Sequence, residues 1–315
     1  MNLMTPDLKK KLTDRFGSRV QFDAPMDRHT SFRVGGPADA LVTPKDRAEL
    51  MDLLAVVRAA GIPWMVLGGG TNLLVTDRGI RGVVICPGRG FDQIQILHKG
   101  PEKTVVEAGA AVRLSALCRY AIDNNYTGLH FAAGIPGSVG GAILMNAGTR
   151  QGAVESVLEG IEVLEPPDRV RTLDRDRLIF KYRRLSWQPA GDGGEQIFIV
   201  LSGRFALAPA DETDPAAEFE TMLNRRWETQ PKGFSAGCVF KNPSADMAAG
   251  RLIDQTGLKG VAVGGARIST VHANFIINEN NASAADILEL IRLVQKGVAD
   301  RFRVCLEPEI RIVGE

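Results

Sequence analysis

Leu50, Leu53, Leu54 and Val57 recur at three- and four-residue intervals in KDRAELMDLLAVVRAAG, residues 45–61, which predicts an amphipathic helix stopped by Gly61. The pattern then contracts to IPWMVLGGGTNLLV, a short apolar strand running into a glycine-rich turn. GVVICPG, TVVEAGAAV, IEVLEP and QIFIVLSGRF are further β-branched runs bounded by glycine, proline or acidic turns, and each reads as a strand. LSALCRYAIDNN reads as a helix closed by Asn124 and Asn125, and EFETMLNRRWETQ as another. In SAADILELIRLVQKGVADRF, Ser283 and Asp286 form a capping pair ahead of the apolar face Ile287, Ile291, Val294 and Val298. EPEIRIVGE alternates Ile310 and Ile312 with charged neighbours, as a closing strand would. The mixture predicts an α+β protein. An Ala/Pro/Asp-rich connector, ALAPADETDPAAE at 206–218, suits a domain boundary.

A chain of 315 residues exceeds the size at which one hydrophobic core keeps growing, so two or three domains are expected. Hydrophobic residues at 44% and charged residues at 24% describe an ordinary globular protein. Lys plus Arg (38) almost balance Asp plus Glu (37), which leaves no overall field to hold a nucleic-acid backbone. The start, MNLMTPDLKKKLTDRF, lacks an apolar core of signal-peptide length, and no stretch approaches the ~18 apolar residues of a membrane span. A cytoplasmic protein with no membrane partner is expected. Cys86, Cys118, Cys238 and Cys305 form no CxxC pair, and His29, His98, His130 and His272 show no metal-ligand spacing, so no metal site is expected.

Two glycine clusters could carry chemistry. GGGTN, residues 68–72, follows a strand, where bare backbone N–H groups can approach a pyrophosphate. Neither the dinucleotide fingerprint nor the Gly-Lys-Ser/Thr loop is present, and a plain tight turn fits equally well. AGIPGSVGGAILMNAG, residues 133–148, has five glycines in sixteen residues, a stretch of exposed backbone suited to a flat ring. Together they have the shape of a flavin dinucleotide site. In FSAGCVFKN, residues 234–242, Cys238 stands where serine would serve a small polar turn. Buried packing and a reactive nucleophile are both open readings. On their own, Tyr182, Arg183 and Arg184 before LSW read as a solvated face, Arg225 and Arg226 as complements of a helix C-terminal dipole, and Glu309 as an exposed strand residue.

HTSFRVGGPAD, VLGGGTNLLV, GIPGSVGGAILMNAG, YRRLSW, GCVFKNP, AGRLID and HANFIIN through EPEIRIVGE follow one another from about residue 29 to the end. In this order they resemble the UDP-N-acetylenolpyruvoylglucosamine reductases, in the shorter subtype. The resemblance implies a two-part FAD-binding domain of the vanillyl-alcohol/p-cresol oxidase type and a smaller α/β substrate-binding domain. Their expected bounds are an N-terminal segment 1–30, the FAD-binding domain 31–208 with subdomains near 31–86 and 87–208, the substrate domain 215–303, and a closing strand 304–315 carrying Glu309. It implies noncovalent FAD, NADPH as cosubstrate and UDP-N-acetylglucosamine enolpyruvate as substrate. By motif match Gly68, Gly69, Gly70, Thr71, Asn72 and Leu73 hold the pyrophosphate, and Gly137, Ser138, Gly141 and Asn146 lie along the flavin. Arg226 faces the UDP diphosphate, with Tyr182, Lys241 and Asn242 near the sugar or enolpyruvyl group. Hydride reaches the enolpyruvyl methylene carbon, and Arg183, Cys238 and Glu309 are the catalytic residues.

Such an addition leaves an enolate that needs positive charge and a proton. Arg183 would supply charge to the carboxylate, Glu309 would orient it, and the proton would come from Cys238, which stands where the family commonly has serine. A proton donor must hold its proton, so a protonated, partly shielded thiol is expected rather than a low-pKa nucleophile. Thr149 and Arg150 replace an alanine-tyrosine pair found in many members, which changes the lining on that side. Three rivals remain: another flavin oxidase of the superfamily, a cysteine hydrolase pairing Cys238 with His272, and a binding module without activity.

Overall fold

The computed structural model describes residues 4–187, 198–210, 214–244 and 246–315. The helix expected after residue 45 spans Arg47–Ala59, capped by Asp46, whose carboxylate accepts the Glu49 N–H at 2.9 Å. Its apolar face, Leu50, Leu53, Leu54 and Val57, is buried against a four-stranded sheet in the order Val20–Pro25, Pro37–Val42, Ile80–Ile85, Trp64–Val66. The last three strands are mutually parallel, which is why their sequences are nearly continuous apolar runs. A second helix, Pro6–Phe16, adds Leu8, Leu12 and Phe16 to the same core.

A second, antiparallel sheet runs Arg169–Asp174, Leu158–Glu165, Ile199–Pro209, Thr104–Gly109, Ile94–Lys99, with Tyr126–Thr127 on the end of the long central strand. Helices Leu114–Asp123 and Val139–Leu144 cover it. The connector expected at 206–218 is partly strand, because Ala206, Leu207 and Ala208 pair with Val105, Thr104 and Thr127. Residues 211–213 of it, and Gln196 and Ile197 of the expected QIFIVLSGRF strand, lie outside the described residues. The helix that follows, Pro215–Thr229, sets Phe219 against the core of this second sheet.

The third layer is a small antiparallel sheet, Ala262–Val263, Ala266–Ile268 and Ile276–Asn278, under helices Ala249–Gln255 and Ala284–Phe302. Ser283 and Asp286 make the full capping box at the start of the long helix, and Ile287, Ile291, Val294 and Val298 are buried as their spacing requires. This core also contains Phe32, Val34 and Leu74 from the N-terminal part. The chain closes by laying Arg311–Val313 parallel to Leu73–Val75, directly after the first glycine loop. Ile310 is buried but Ile312 is 42% exposed, because the closing strand has only one neighbour and its outer face meets solvent.

A polar clamp helps tie the N-terminal part to the C-terminal one. Asp77 accepts the N–H groups of Ala284 at 2.7 Å and Ala285 at 2.9 Å, capping the long helix from 207 residues away. Asp77→Ala is expected to lower the unfolding free energy by about 1–2 kcal/mol in urea titration, the usual worth of such a cap.

Candidate active site

The two glycine clusters meet. A β-carbon on Gly69 would fall 2.8 Å from the Gly137 Cα, and Thr71 Oγ1 donates to the Pro136 carbonyl at 3.3 Å. Gly70 has φ +62, and a β-carbon there would lie 1.9 Å from the His29 carbonyl oxygen, so this turn accepts no side chain. The second cluster is not the long bare ribbon expected from its composition. Ser138 accepts the Gly141 N–H and caps a short helical turn, Val139–Leu144, whose Val139, Ala142 and Ile143 pack into the core. Asn146 is buried, and its amide braces the Glu155 backbone N–H (3.0 Å) and the Lys181 carbonyl (3.3 Å).

Beside the first loop lies a cleft of about 440 Å³, lined by Gly68, Gly69, Ser31, Phe234 and the two cations Arg28 and Arg33. Ser31 Oγ is buried with no hydrogen-bond partner among the described residues. Bare glycine backbone, two guanidinium groups and an unpaired hydroxyl form a donor set that fits the diphosphate of a dinucleotide. HTSFRV had marked Ser31 and Arg33 in the sequence without assigning them a task, and Arg28 lies just ahead of it. His29 also reaches this cleft, although no histidine neighbours GGGTN along the chain.

Arg183, Cys238 and Glu309 come together from three segments. Tyr182 and Arg183 form the two-residue tip of the hairpin Leu178–Lys181/Arg184–Trp187, with Arg183 at φ +56. From this turn Arg183 Nε lies 2.9 Å from Glu309 Oε1, and Nη1 donates to the Gly148 carbonyl at 3.0 Å. The neighbouring Arg184 points into solvent, so the solvated-face reading holds for it and not for Arg183. Glu309 and Cys238 are held by backbone pairing. The Glu309 N–H donates to the Val239 carbonyl at 2.7 Å, the Lys241 N–H to the Glu307 carbonyl at 2.9 Å, and Phe240 bridges Pro308. Asn72 Nδ2 donates to the Glu309 carbonyl at 3.1 Å and so joins the glycine loop to the same strand.

Burial dominates the electrostatics here. It pushes the Cys238 thiol up to about 12, and nearby Glu309 pushes the same way, outweighing Arg183, Arg226 and the Asn274 amide. Burial also raises Glu309, against the pull of Arg183 and Lys241. Tyr182 is raised by burial and then by Glu309, against the pull of Arg183 and the Asn242 backbone. Arg226, on the last turn of Pro215–Thr229, is lowered by burial and lies within electrostatic reach of both Cys238 and Arg183. Lys241 pairs with Glu307, and the Asn242 side chain accepts the Ala249 N–H at 3.0 Å, capping the next helix. A raised thiol pKa is the reverse of what a nucleophile needs, and His272 Nδ1 is occupied by the Asn274 N–H at 3.2 Å.

Residues 38–174 match the FAD binding domain model, and residues 230–313 match the model for the C-terminal domain of UDP-N-acetylenolpyruvoylglucosamine reductase. The reductase of that name from Desulfosudis oleivorans is 46% identical over 313 residues, 99% of this chain and 100% of that one. The chain belongs to the UDP-N-acetylenolpyruvoylglucosamine reductase family. The reductase from Heliobacterium modesticaldum is 40% identical, covering 97% of this chain and 94% of its own. The crystal structure of the reductase from Thermus caldophilus superposes with a TM-score of 0.76 at 36% identity, over 92% of this chain and 97% of that one. The FAD-binding match holds both glycine loops, and the reductase C-terminal match holds Cys238, Lys241, Asn242 and Glu309. Tyr182, Arg183 and Arg226 lie between the two matched segments and reach the cluster through the hairpin and the exposed helix. Among the described residues no helix is long and apolar enough to cross a membrane, and no group of three His, Cys, Asp or Glu is arranged to hold a metal ion.

Proposed function

We propose that this chain reduces UDP-N-acetylglucosamine enolpyruvate to UDP-N-acetylmuramate with NADPH, in cytoplasmic synthesis of peptidoglycan precursors, and that Cys238 is the proton donor. One observation carries the reading of Cys238: a thiol kept neutral by burial sits in the same cluster as the Arg183–Glu309 pair. Bound FAD, held noncovalently, would relay hydride from NADPH to the enolpyruvyl methylene carbon. Gly68 to Leu73 with Ser31, Arg28 and Arg33 would hold its diphosphate, and Gly137, Ser138 and Gly141 would border the ring, on a turn that Asn146 braces.

The residues of the chain handle the charge and the proton. Addition at the methylene carbon places negative charge on the neighbouring carbon and its carboxylate. Arg183 stabilises that charge from a site of limited solvent access, where it counts for more than in water. Glu309 occupies the Arg183 Nε side and the Gly148 carbonyl accepts from Nη1, which leaves Nη2 and the second Nη1 N–H for the substrate carboxylate. Cys238 then gives its proton to the carbanion carbon, the S–H electron pair stays on sulfur, and solvent restores the proton. Arg226 would meet the UDP diphosphate, and Tyr182, Lys241 and Asn242 would border the sugar.

Purified protein is expected to be yellow and to consume NADPH only when the UDP-enolpyruvyl sugar is added. Acid precipitation should leave all the FAD in the supernatant. Flavin remaining on the precipitated chain would indicate a covalent tether and favour an oxidase, and His29 is the histidine to inspect. Oxygen consumption with simple sugars or phenols in the absence of NADPH would overturn the reductase reading.

A further inference from the structure

We propose that Asn274 is a positioning residue for the proton transfer: it fixes the Cys238 loop and donates a hydrogen bond to the sulfur as the proton leaves. The inference rests on Cys238 being the acid. Asn274 is only 3% exposed. Its Oδ1 accepts the Phe240 N–H at 2.9 Å, its Nδ2 donates to the Phe240 carbonyl at 2.8 Å, and its own carbonyl accepts the Val239 N–H at 2.8 Å. Three bonds therefore fix the two residues that directly follow Cys238.

An amide nitrogen carries two N–H groups, and the Phe240 carbonyl uses one. The other is free to bond the adjacent thiol, which lies within electrostatic reach of the Asn274 side chain. That bond is weak while sulfur keeps its proton and strengthens when sulfur becomes anionic. The donor thus does little in the resting enzyme and most of its work as charge builds on sulfur. Burial and Glu309 both disfavour the thiolate, so a fixed donor at this point lowers the barrier to the transfer.

The test is single-turnover reoxidation of NADPH-bleached holoenzyme by the enolpyruvyl sugar, in the four proteins of a double-mutant cycle. Asn274→Asp keeps an acceptor for the Phe240 N–H and loses the donor. It is expected to slow reoxidation ~10- to 100-fold, the worth of a hydrogen bond to a charged group, and to leave bleaching by NADPH unchanged. In a Cys238→Ala background the same change should add less than about two-fold. Asn274→Ser, smaller and neutral, is run in parallel with the same expected pattern. An undiminished further loss in the Cys238→Ala background, or equal slowing of both half-reactions, would show that Asn274 serves only the fold. Rapid reoxidation in Cys238→Ala alone would instead remove the acid assignment on which the inference stands.

Discussion

Cys238→Ala is expected to bleach with NADPH at the normal rate yet lose ~10²- to 10⁴-fold in reoxidation by the enolpyruvyl sugar, the usual contribution of a general acid. Stopped-flow absorbance of the flavin separates the two phases. Alanine fills nearly the same space beside buried Val239 and Phe240, so the fold should persist. Cys238→Ser should keep substantial turnover, because a hydroxyl can deliver a proton from the same position. Rapid reoxidation in the alanine variant would show that the proton comes from elsewhere.

The second large effect concerns Arg183. Arg183→Met should lower kcat about 10²- to 10³-fold, the typical loss when one charge-stabilising donor is removed. It also leaves Glu309, already raised by burial, without the guanidinium at 2.9 Å that favours its charged form. Arg183→Lys should recover little, since an ammonium cannot bond Glu309, the Gly148 carbonyl and a substrate carboxylate with one planar fork. Arg184→Met is the matched control. Arg184 is one residue away but exposed, so near-normal turnover is expected. Comparable losses at both positions would mean that general charge, not the geometry of Arg183, is what the reaction uses.

What could be read directly from the sequence was local. The helix at Ala284–Phe302 announced itself through a capping pair three residues apart and an apolar face of fixed period, both satisfied within one segment. The helix at Arg47–Ala59 and the main strands were legible for the same reason. Arg183 was legible only through its motif. Its place at a hairpin tip with φ +56, and so its difference from Arg184, depends on the register of two strands. The Cys238 environment is still less local. Its partner strand lies near the C-terminus, the clamp on Phe240 comes from Asn274, and Asn72 reaches the Glu309 carbonyl across 237 residues. Composition also misled at the second glycine cluster: the glycines at 140 and 141 suggested bare backbone, whereas Ser138 caps them into a packed helical turn.

If Cys238 acts as a neutral acid, the pH dependence of single-turnover reoxidation by the enolpyruvyl sugar must show it. The sign follows from the raised pKa: with the thiol pushed up to about 12, the proton is held at pH values well below that and is lost as the pH rises through it. The predicted result is a reoxidation rate that is flat from about pH 6 to about pH 10. A rate that falls with an apparent pKa at or below about 8.5, the value of an unperturbed thiol, would contradict it.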